Sequence, residues 1–213
     1  MGISERKARE KEALRQGILD AATQLIVENG HENLSIRKIA EKIEYAPSTI
    51  YLYFQDKFEI LASICVEVFE DLTESLEAIA NEESDPIVGL RRGLRCYIDF
   101  GLANPSYYQV TFMTPMPSLK DKQLHPTPAG ELSPDQAGIR CYDCLRKAIQ
   151  RGIDAGSLKQ SDTHLLAQST WLAIHGLTSG LICMGHDTEF PWVERQLLID
   201  GQIDLLLRGM LKQ

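Results

Sequence analysis

What most constrains this chain is the spacing of its apolar residues. Ile18, Leu19, Ala22, Leu25 and Ile26 stand at i, i+1, i+4, i+7 and i+8, and Ile36, Ile39, Ala40 and Ile43 at i, i+3, i+4 and i+7. That is the period of helices with one buried face. A longer stripe (Leu61, Ile64, Cys65, Val68, Leu72, Leu76, Ile79) follows Asp56-x-x-Glu59, the spacing of a capping box with Asp as cap, and predicts a helix of about six turns. No comparable period-two alternation occurs, so sheet architectures drop out. Pro47, Pro86, Pro105, Pro134 and Pro191 each precede a helical pattern, the position where a missing N–H costs nothing. Further helices are expected near 86–103, 105–113, 134–155, 162–184 and 191–211, with one long loop over 114–133 that holds Pro115, Pro117, Pro126 and Pro128. The expectation is an all-α chain of about nine helices, divided into a small head over residues 1–55 and a larger helical body over residues 56–213.

Charge looks at first like an argument against nucleic acid. The chain of 213 residues carries 22 Lys and Arg against 30 Asp and Glu, a net charge of −8. By region the balance changes: residues 1–60 hold nine cations against ten anions, and residues 61–213 thirteen against twenty. Arg6, Lys7, Arg9, Lys11 and Arg15 outnumber Glu5, Glu10 and Glu12 in the first fifteen residues. A global acid balance disfavours indiscriminate adhesion to DNA and leaves room for a few positioned contacts. No apolar h-region opens the chain and no apolar run approaches the roughly 20 residues of a membrane span. Five scattered cysteines (Cys65, Cys96, Cys141, Cys144, Cys183) suit reduced thiols rather than a disulfide framework. A cytoplasmic protein with no membrane partner is expected.

The head contains the most informative local pattern. Ser35 is placed to cap a short helix running to about Lys42; a turn over Ile43 to Ala46 follows, and Pro47 opens a second short helix ending near Phe54. Two short helices joined by four residues make a helix-turn-helix. Ile50 and Phe54, at i and i+4, would face inward, leaving a short polar and aromatic face suited to a major groove.

Residues Ala40 to Leu61, AEKIEYAPSTIYLYFQDKFEIL, resemble the DNA-binding signature of TetR-like transcriptional regulators, approximately A-x-x-A-G-V-S-x-G-T-[LI]-Y-x-[YH]-F-x-[SD]-K-x-x-L. Ala40, Thr49, Ile50, Tyr51, Tyr53, Phe54, Asp56, Lys57 and Leu61 match, and with the preceding helix the resemblance covers about residues 14–61. Three positions depart from it. Glu44 stands where the family has Gly, so a non-Gly residue must make the turn, in a left-handed conformation at some cost. Ala46 replaces a Ser cap, a loss of roughly 1 kcal/mol that Pro47 offsets in part. Ser48 replaces a Gly. In the body, Trp171-x-x-x-His175-Gly176 is similar to a Trp-His-Gly motif of one TetR-like subgroup.

The resemblance implies roles. Tyr51, Tyr53, Lys57 and Arg37 would hold phosphates; Tyr45, Ser48 and Thr49 are the candidates for base edges, against capping and turn roles; Ser35 and Pro47 start the two helices of the DNA-binding set. The Arg6–Arg15 arm is either a groove-following segment or a solvated terminus. Ile199, Ile203, Leu206 and Met210 would form the dimer interface, since a helix-turn-helix reads DNA as paired half-sites. Tyr97, Phe100, Tyr108, Phe112, Met113, Tyr142, Trp171 and His175 would line a small-molecule pocket, mostly apolar with a few polar handles; His175 is alternatively a hydrogen-bonded core residue.

Catalysis finds no support: G-x-S-x-G, H-E-x-x-H, P-loop and G-x-G-x-x-G patterns are missing, and His31, His125, His164, His175 and His186 do not group with carboxylates at ligand spacing. No cofactor or metal is expected. Cys141-x-x-Cys144 leaves open a thiol-based sensor on the same scaffold, and a purely structural helical dimer is the third reading. The leading expectation is a homodimeric regulator of a palindromic operator, most often a repressor in this family, released by an unknown small-molecule effector.

Overall fold

The computed structural model describes residues 2–114, 132–185 and 188–212. Among them are nine α-helices: α1 (Ile3–Asn29), α2 (Ile36–Lys42), α3 (Pro47–Ile50), α4 (Lys57–Glu82), α5 (Pro86–Ala103), α6 (Pro105–Tyr108), α7 (Pro134–Asp154), α8 (Thr163–Met184) and α9 (Arg195–Met210). A 3-10 turn spans His31–Asn33 and a π-helical turn Gln109–Met113. The described residues hold no strand, only a single antiparallel bridge between Leu158 and Leu211. Residues 115–131 of the expected long loop lie outside the described residues.

Local chemistry explains most helix starts. Ser35 accepts from the Lys38 amide, and Asp85 and Asp162 each cap two amides, at α5 and α8. Asp56 Oδ1 accepts from the Phe58 and Glu59 amides at 2.8 and 2.9 Å, while the Glu59 carboxylate reaches back to the Gln55 amide. The capping box anticipated from Asp56-x-x-Glu59 therefore forms, with its return bond one residue further out. Pro191 behaves differently: residues 191–194 are non-helical and α9 begins at Arg195.

The chain packs as two compact units. The head comprises residues up to Val68 together with Ser106–Pro134. Its core joins Ile18, Leu19, Ala22 and Ile26 of α1, Ile39 and Ala40 of α2, Ile50 and Phe54, and Ile60, Leu61 and Ile64 of α4. Val110, fully buried in the π-helical turn, completes it. Residue 55, expected as the domain boundary, thus precedes the start of α4 and not a change of packing, because three turns of α4 and a segment about 50 residues downstream close the head core. Tyr107 adds polar ties within the head: its hydroxyl donates to Asp20 Oδ1 at 2.6 Å and accepts from Gln16 Nε2 at 2.9 Å.

The body comprises Phe69–Pro105 and Asp135–Gln213. Leu90, Leu94 and Ile98 of α5, Ile149 and Ile153 of α7, Ala167, Ile174 and Leu181 of α8, and Ile199, Ile203 and Leu207 of α9 are buried. After α7 the chain reverses through Gly156, at φ +71°, a left-handed position that Gly adopts without strain. A Cβ on Gly152 would stand 2.6 Å from Leu158 Cδ1, so only Gly lets the connector pack this tightly.

Candidate functional site

The recognition surface is built on α2 and α3. The turn between them closes by a bond from the Tyr45 amide to the Ala40 carbonyl (2.9 Å), with Glu44 at φ +60°. This is a Schellman-type helix end, whose left-handed residue is ordinarily Gly. The non-Gly turn anticipated at Glu44 is therefore present, together with its conformational cost. Ala46 caps α3 without a side-chain bond and Pro47 occupies the first turn. Regular helix ends at Ile50, earlier than the expected Phe54; Tyr53 and Phe54 still bond back to the Ile50 carbonyl, at 2.9 and 3.0 Å, through a turn.

Exposure separates backing from reading face. Ile50 and Phe54 are buried. Pro47 and Ser48 are exposed and Thr49 half-buried; Tyr45, Tyr51 and Leu52 are 49%, 57% and 77% exposed. An aromatic pair and an aliphatic side chain held out in water beside a hydroxyl are costly unless a partner covers them. Tyr53 is half-buried against the head core and so serves packing as well. Arg37 is exposed, its Nε 2.9 Å from Glu41 Oε1, and Ser35 is occupied as the α2 cap. Lys57 Nζ donates to the Leu34 carbonyl at 3.4 Å and lies 5.5 Å from the Phe58 ring centroid, which holds the ammonium at the start of α4. Leu52 is the exposed residue that the sequence pattern did not single out. The Arg6–Arg15 segment, expected as an arm or a frayed terminus, is instead the first turns of α1.

Three of the eight residues expected to line a pocket touch one another directly. Tyr97, Trp171 and His175 meet in the body: Trp171 Nε1 donates to the Tyr97 hydroxyl at 3.3 Å, that hydroxyl lies 3.4 Å from His175 Nδ1, and the Trp171 and His175 rings stack at 5.4 Å. Because an indole N–H can only donate, the Tyr97 oxygen accepts and its own proton is available to His175, favouring the tautomer protonated on Nε2. Burial holds His175 below its ordinary pKa. Phe100 is half-buried on the same helix as Tyr97. Tyr142 instead pairs with His164, 3.5 Å from its Nδ1. Tyr108 is fully buried and packs at a tilt against Phe112, the ring centroids 4.8 Å apart, and these two with Met113 belong to the head.

Three of the four residues expected at the dimer interface lie inside the protomer. Ile199, Ile203 and Met210 are buried, and Met210 Sδ accepts from Thr170 at 3.8 Å; Leu206 is half-buried. They belong to the body's own core because α9 is apolar on more than one side, and the stripe selected by spacing is the one packed within the chain. The apolar residues that α8 and α9 leave most exposed are Leu165, Leu172, Leu197 and Leu205, each about 60% exposed or more, with Met184 at the end of α8 exposed to a lesser degree.

A body groove of about 420 Å³, lined by Arg91, Arg92, Arg95, Asp99 and Asp200 among others, is occupied by its own ion pairs. Arg91 pairs with Asp204, Arg92 with Glu82, and Arg95 with Asp99 and Asp200. Of the five free cysteines, Cys183 is exposed and the other four are buried or half-buried. Burial pushes Cys65 up to about 11 and Cys141 up to about 12, and Cys96 and Cys144 are raised for the same reason, all away from the reactive thiolate. Among the described residues no His, Cys, Asp and Glu cluster has metal-binding geometry, and no helix is long and apolar enough to cross a membrane.

Comparison with known proteins matches residues 18–64 to the bacterial regulatory proteins of the tetR family and residues 90–190 to the tetracyclin repressor-like C-terminal domain, together more than half of the chain. An HTH-type transcriptional regulator of Mycobacterium tuberculosis is 24% identical over 160 residues, 71% of this chain and 62% of that protein. The fatty acid metabolism regulator protein of Bacillus subtilis is 39% identical over 67 residues, 32% of this chain and 34% of that one. The chain thus spans less than two thirds of these curated relatives. Among solved structures, the fatty acid degradation regulator FadR of Bacillus halodurans superposes with a TM-score of 0.76 at 22% identity, covering 92% of this chain and 95% of that chain. FadR of Bacillus subtilis in complex with stearoyl-CoA does so with a TM-score of 0.73 at 22% identity, covering 91% and 98%.

Proposed function

Because this chain belongs to the TetR family of bacterial regulatory proteins, we propose that it is a cytoplasmic, homodimeric, ligand-responsive DNA-binding regulator that represses transcription from a palindromic operator until a small molecule releases it. One observation carries the reading: α3 is backed by buried Ile50 and Phe54 while Tyr45, Ser48, Tyr51 and Leu52 stand exposed. In that arrangement Tyr45, Ser48 and Thr49 meet base edges. Arg37, Tyr51, Tyr53 and Lys57 hold the backbone, which fixes register without carrying sequence information.

The dimer forms through the outer faces of α8 and α9, with Leu165, Leu172, Leu197 and Leu205 replacing the buried stripe expected from spacing. Two heads then read half-sites one or more helical turns apart. The effector is a small molecule held in the body, with the Trp171–Tyr97–His175 trio as its polar handle. Stearoyl-CoA is the first probe, since a fold relative was crystallised with it. Release is a population shift that needs differential affinity, typically 1 to 3 kcal/mol of coupling. α4, whose residues contribute to both units, is the element through which the shift reaches the head.

Selection of duplexes from a random pool by the purified protein, then anisotropy titration with and without saturating stearoyl-CoA, tests each layer. Enrichment of a palindrome bound by a dimer, with affinity reduced roughly 5- to 150-fold by the effector, is the expected result. Failure to enrich any sequence refutes the DNA-binding reading. An unchanged affinity removes stearoyl-CoA as the effector.

A further inference from the structure

α1 extends well beyond the core it helps to build. Residues 5–13 are all exposed, and Leu14 is the first to pack on the head core, so at 1.5 Å per residue roughly 13 Å of helix stands outside. In a chain of net charge −8, this stretch carries Arg6, Lys7, Arg9 and Lys11. Its carboxylates are already engaged: Glu5 accepts from the Gly2 amide at 3.0 Å, Glu10 pairs with Arg6 at 3.4 Å, and Glu12 lies 3.9 Å from Arg15. Lys7, Arg9 and Lys11 have no carboxylate partner among the described residues.

Lys7, Lys11 and Arg15 are spaced i, i+4 and i+8 and share one side of the helix. The direction of that side is fixed by Arg15, whose guanidinium lies 5.5 Å from the Phe54 ring centroid and pairs with Glu67. Phe54, buried behind the reading face, ends the turn that follows α3, so the row of cations starts from the head beside the recognition segment, with Lys11 and Lys7 turned about 40° and 80° round the helix from Arg15. Arg9 points away from this row, being 200° round the helix from both Lys7 and Lys11 at 100° per residue.

We infer that the projecting turns of α1 are a second DNA-contacting element, in which Lys7 and Lys11 bind phosphates flanking the bases read by α3. The inference rests on the DNA-binding reading of the head. One helical turn separates the two ammonium groups by about 6 Å, close to two steps of a strand that carries one charge per 3.4 Å of axis. A helical spar also presents its charges already ordered, unlike a flexible arm that must be ordered on binding. Contacts of this kind add affinity and salt dependence without adding base preference.

The test compares wild type, Lys7→Gln/Lys11→Gln, Lys7→Arg/Lys11→Arg and Arg9→Gln. Each is titrated by anisotropy against the duplex selected by the wild type and against an unrelated 40-base-pair duplex, across a salt series, with hydroxyl-radical footprints on the selected duplex. For the double Gln variant we expect affinity to fall about tenfold at low salt on both duplexes. Its log–log salt slope should become shallower by about 0.9 per lost phosphate contact, and protection should disappear at the outer edges of the footprint only. The double Arg variant should match wild type, and Arg9→Gln should move the slope less than the double Gln variant. An unchanged slope and footprint in the double Gln variant, or an equal effect from Arg9→Gln, overturns the inference while leaving the DNA-binding reading standing. A wild type that binds neither duplex overturns both.

Discussion

The head and the body are made of the same kind of amphipathic helix, yet exposure follows the sequence pattern in one and departs from it in the other. In the head, a turn of fixed length sets the azimuth of α3, so Ile50 and Phe54 go in while Tyr45 and Tyr51 stay out, as position alone predicts. In the body no such turn fixes the phase of α9. Its apolar residues lie on more than one side, and those chosen by spacing, Ile199 and Ile203, are core. Leu197 and Leu205, on the opposite side, are exposed. A motif ties a residue to its surroundings; periodicity alone gives a stripe without saying what covers it.

The largest effects should come from residues buried in either unit. Ile50→Ala in the head and Ile203→Ala in the body should each cost about 2–5 kcal/mol in chemical denaturation; a near-neutral Ile203→Ala would return that residue to the surface and restore the stripe expected from spacing. Leu172→Glu with Leu205→Glu should convert the dimer to a folded monomer, seen as a halved mass in sedimentation with the helical circular dichroism preserved. A variant that remained dimeric would break the assignment of the outer faces of α8 and α9.

On the reading face, Tyr51→Ala should weaken operator affinity about tenfold with no loss of thermal stability, since Tyr51 is exposed. Tyr53→Ala should weaken binding and also lower stability by about 1 kcal/mol, because Tyr53 packs on the core. Equal stability for the two variants would show that the half-buried ring contributes no packing. Glu44→Gly should raise stability by up to about 1 kcal/mol by removing the left-handed strain at φ +60°.

The smallest expected effect lies in the body and depends on pH. His175 has its pKa lowered by burial from an ordinary 6.5, so the fold prefers the neutral ring. Its stabilising preference is fully present above about pH 6.5 and is lost as pH falls from there through the lower folded value. Denaturation midpoints of wild type should therefore fall more steeply below pH 6.5 than those of His175→Gln, and parallel profiles would show that His175 is solvated.

Much of the head is legible in the sequence. The caps at Ser35 and Asp56, the non-Gly turn at Glu44 and the uncapped start at Ala46 follow from short-range backbone chemistry, which depends on a few neighbouring residues. What was not legible depends on distant chain. No local signal places Val110 in the head core or Tyr107 against Asp20, because those contacts join residues far apart in sequence. Tyr97, Trp171 and His175 were picked out by residue type, but type alone did not show that Tyr142 pairs elsewhere with His164 or that Tyr108 and Phe112 pack in the head.

By itself, the sequence determined an all-helical chain, the boundaries of most helices to within a few residues, and a helix-turn-helix with its inward and outward faces, since propensity, capping and turn chemistry act over a few residues. Only the tertiary structure decided which apolar stripe of α9 is core, which aromatic residues meet, and that the basic segment before Leu14 is helix. Those outcomes are set by burial against partners that no local pattern names.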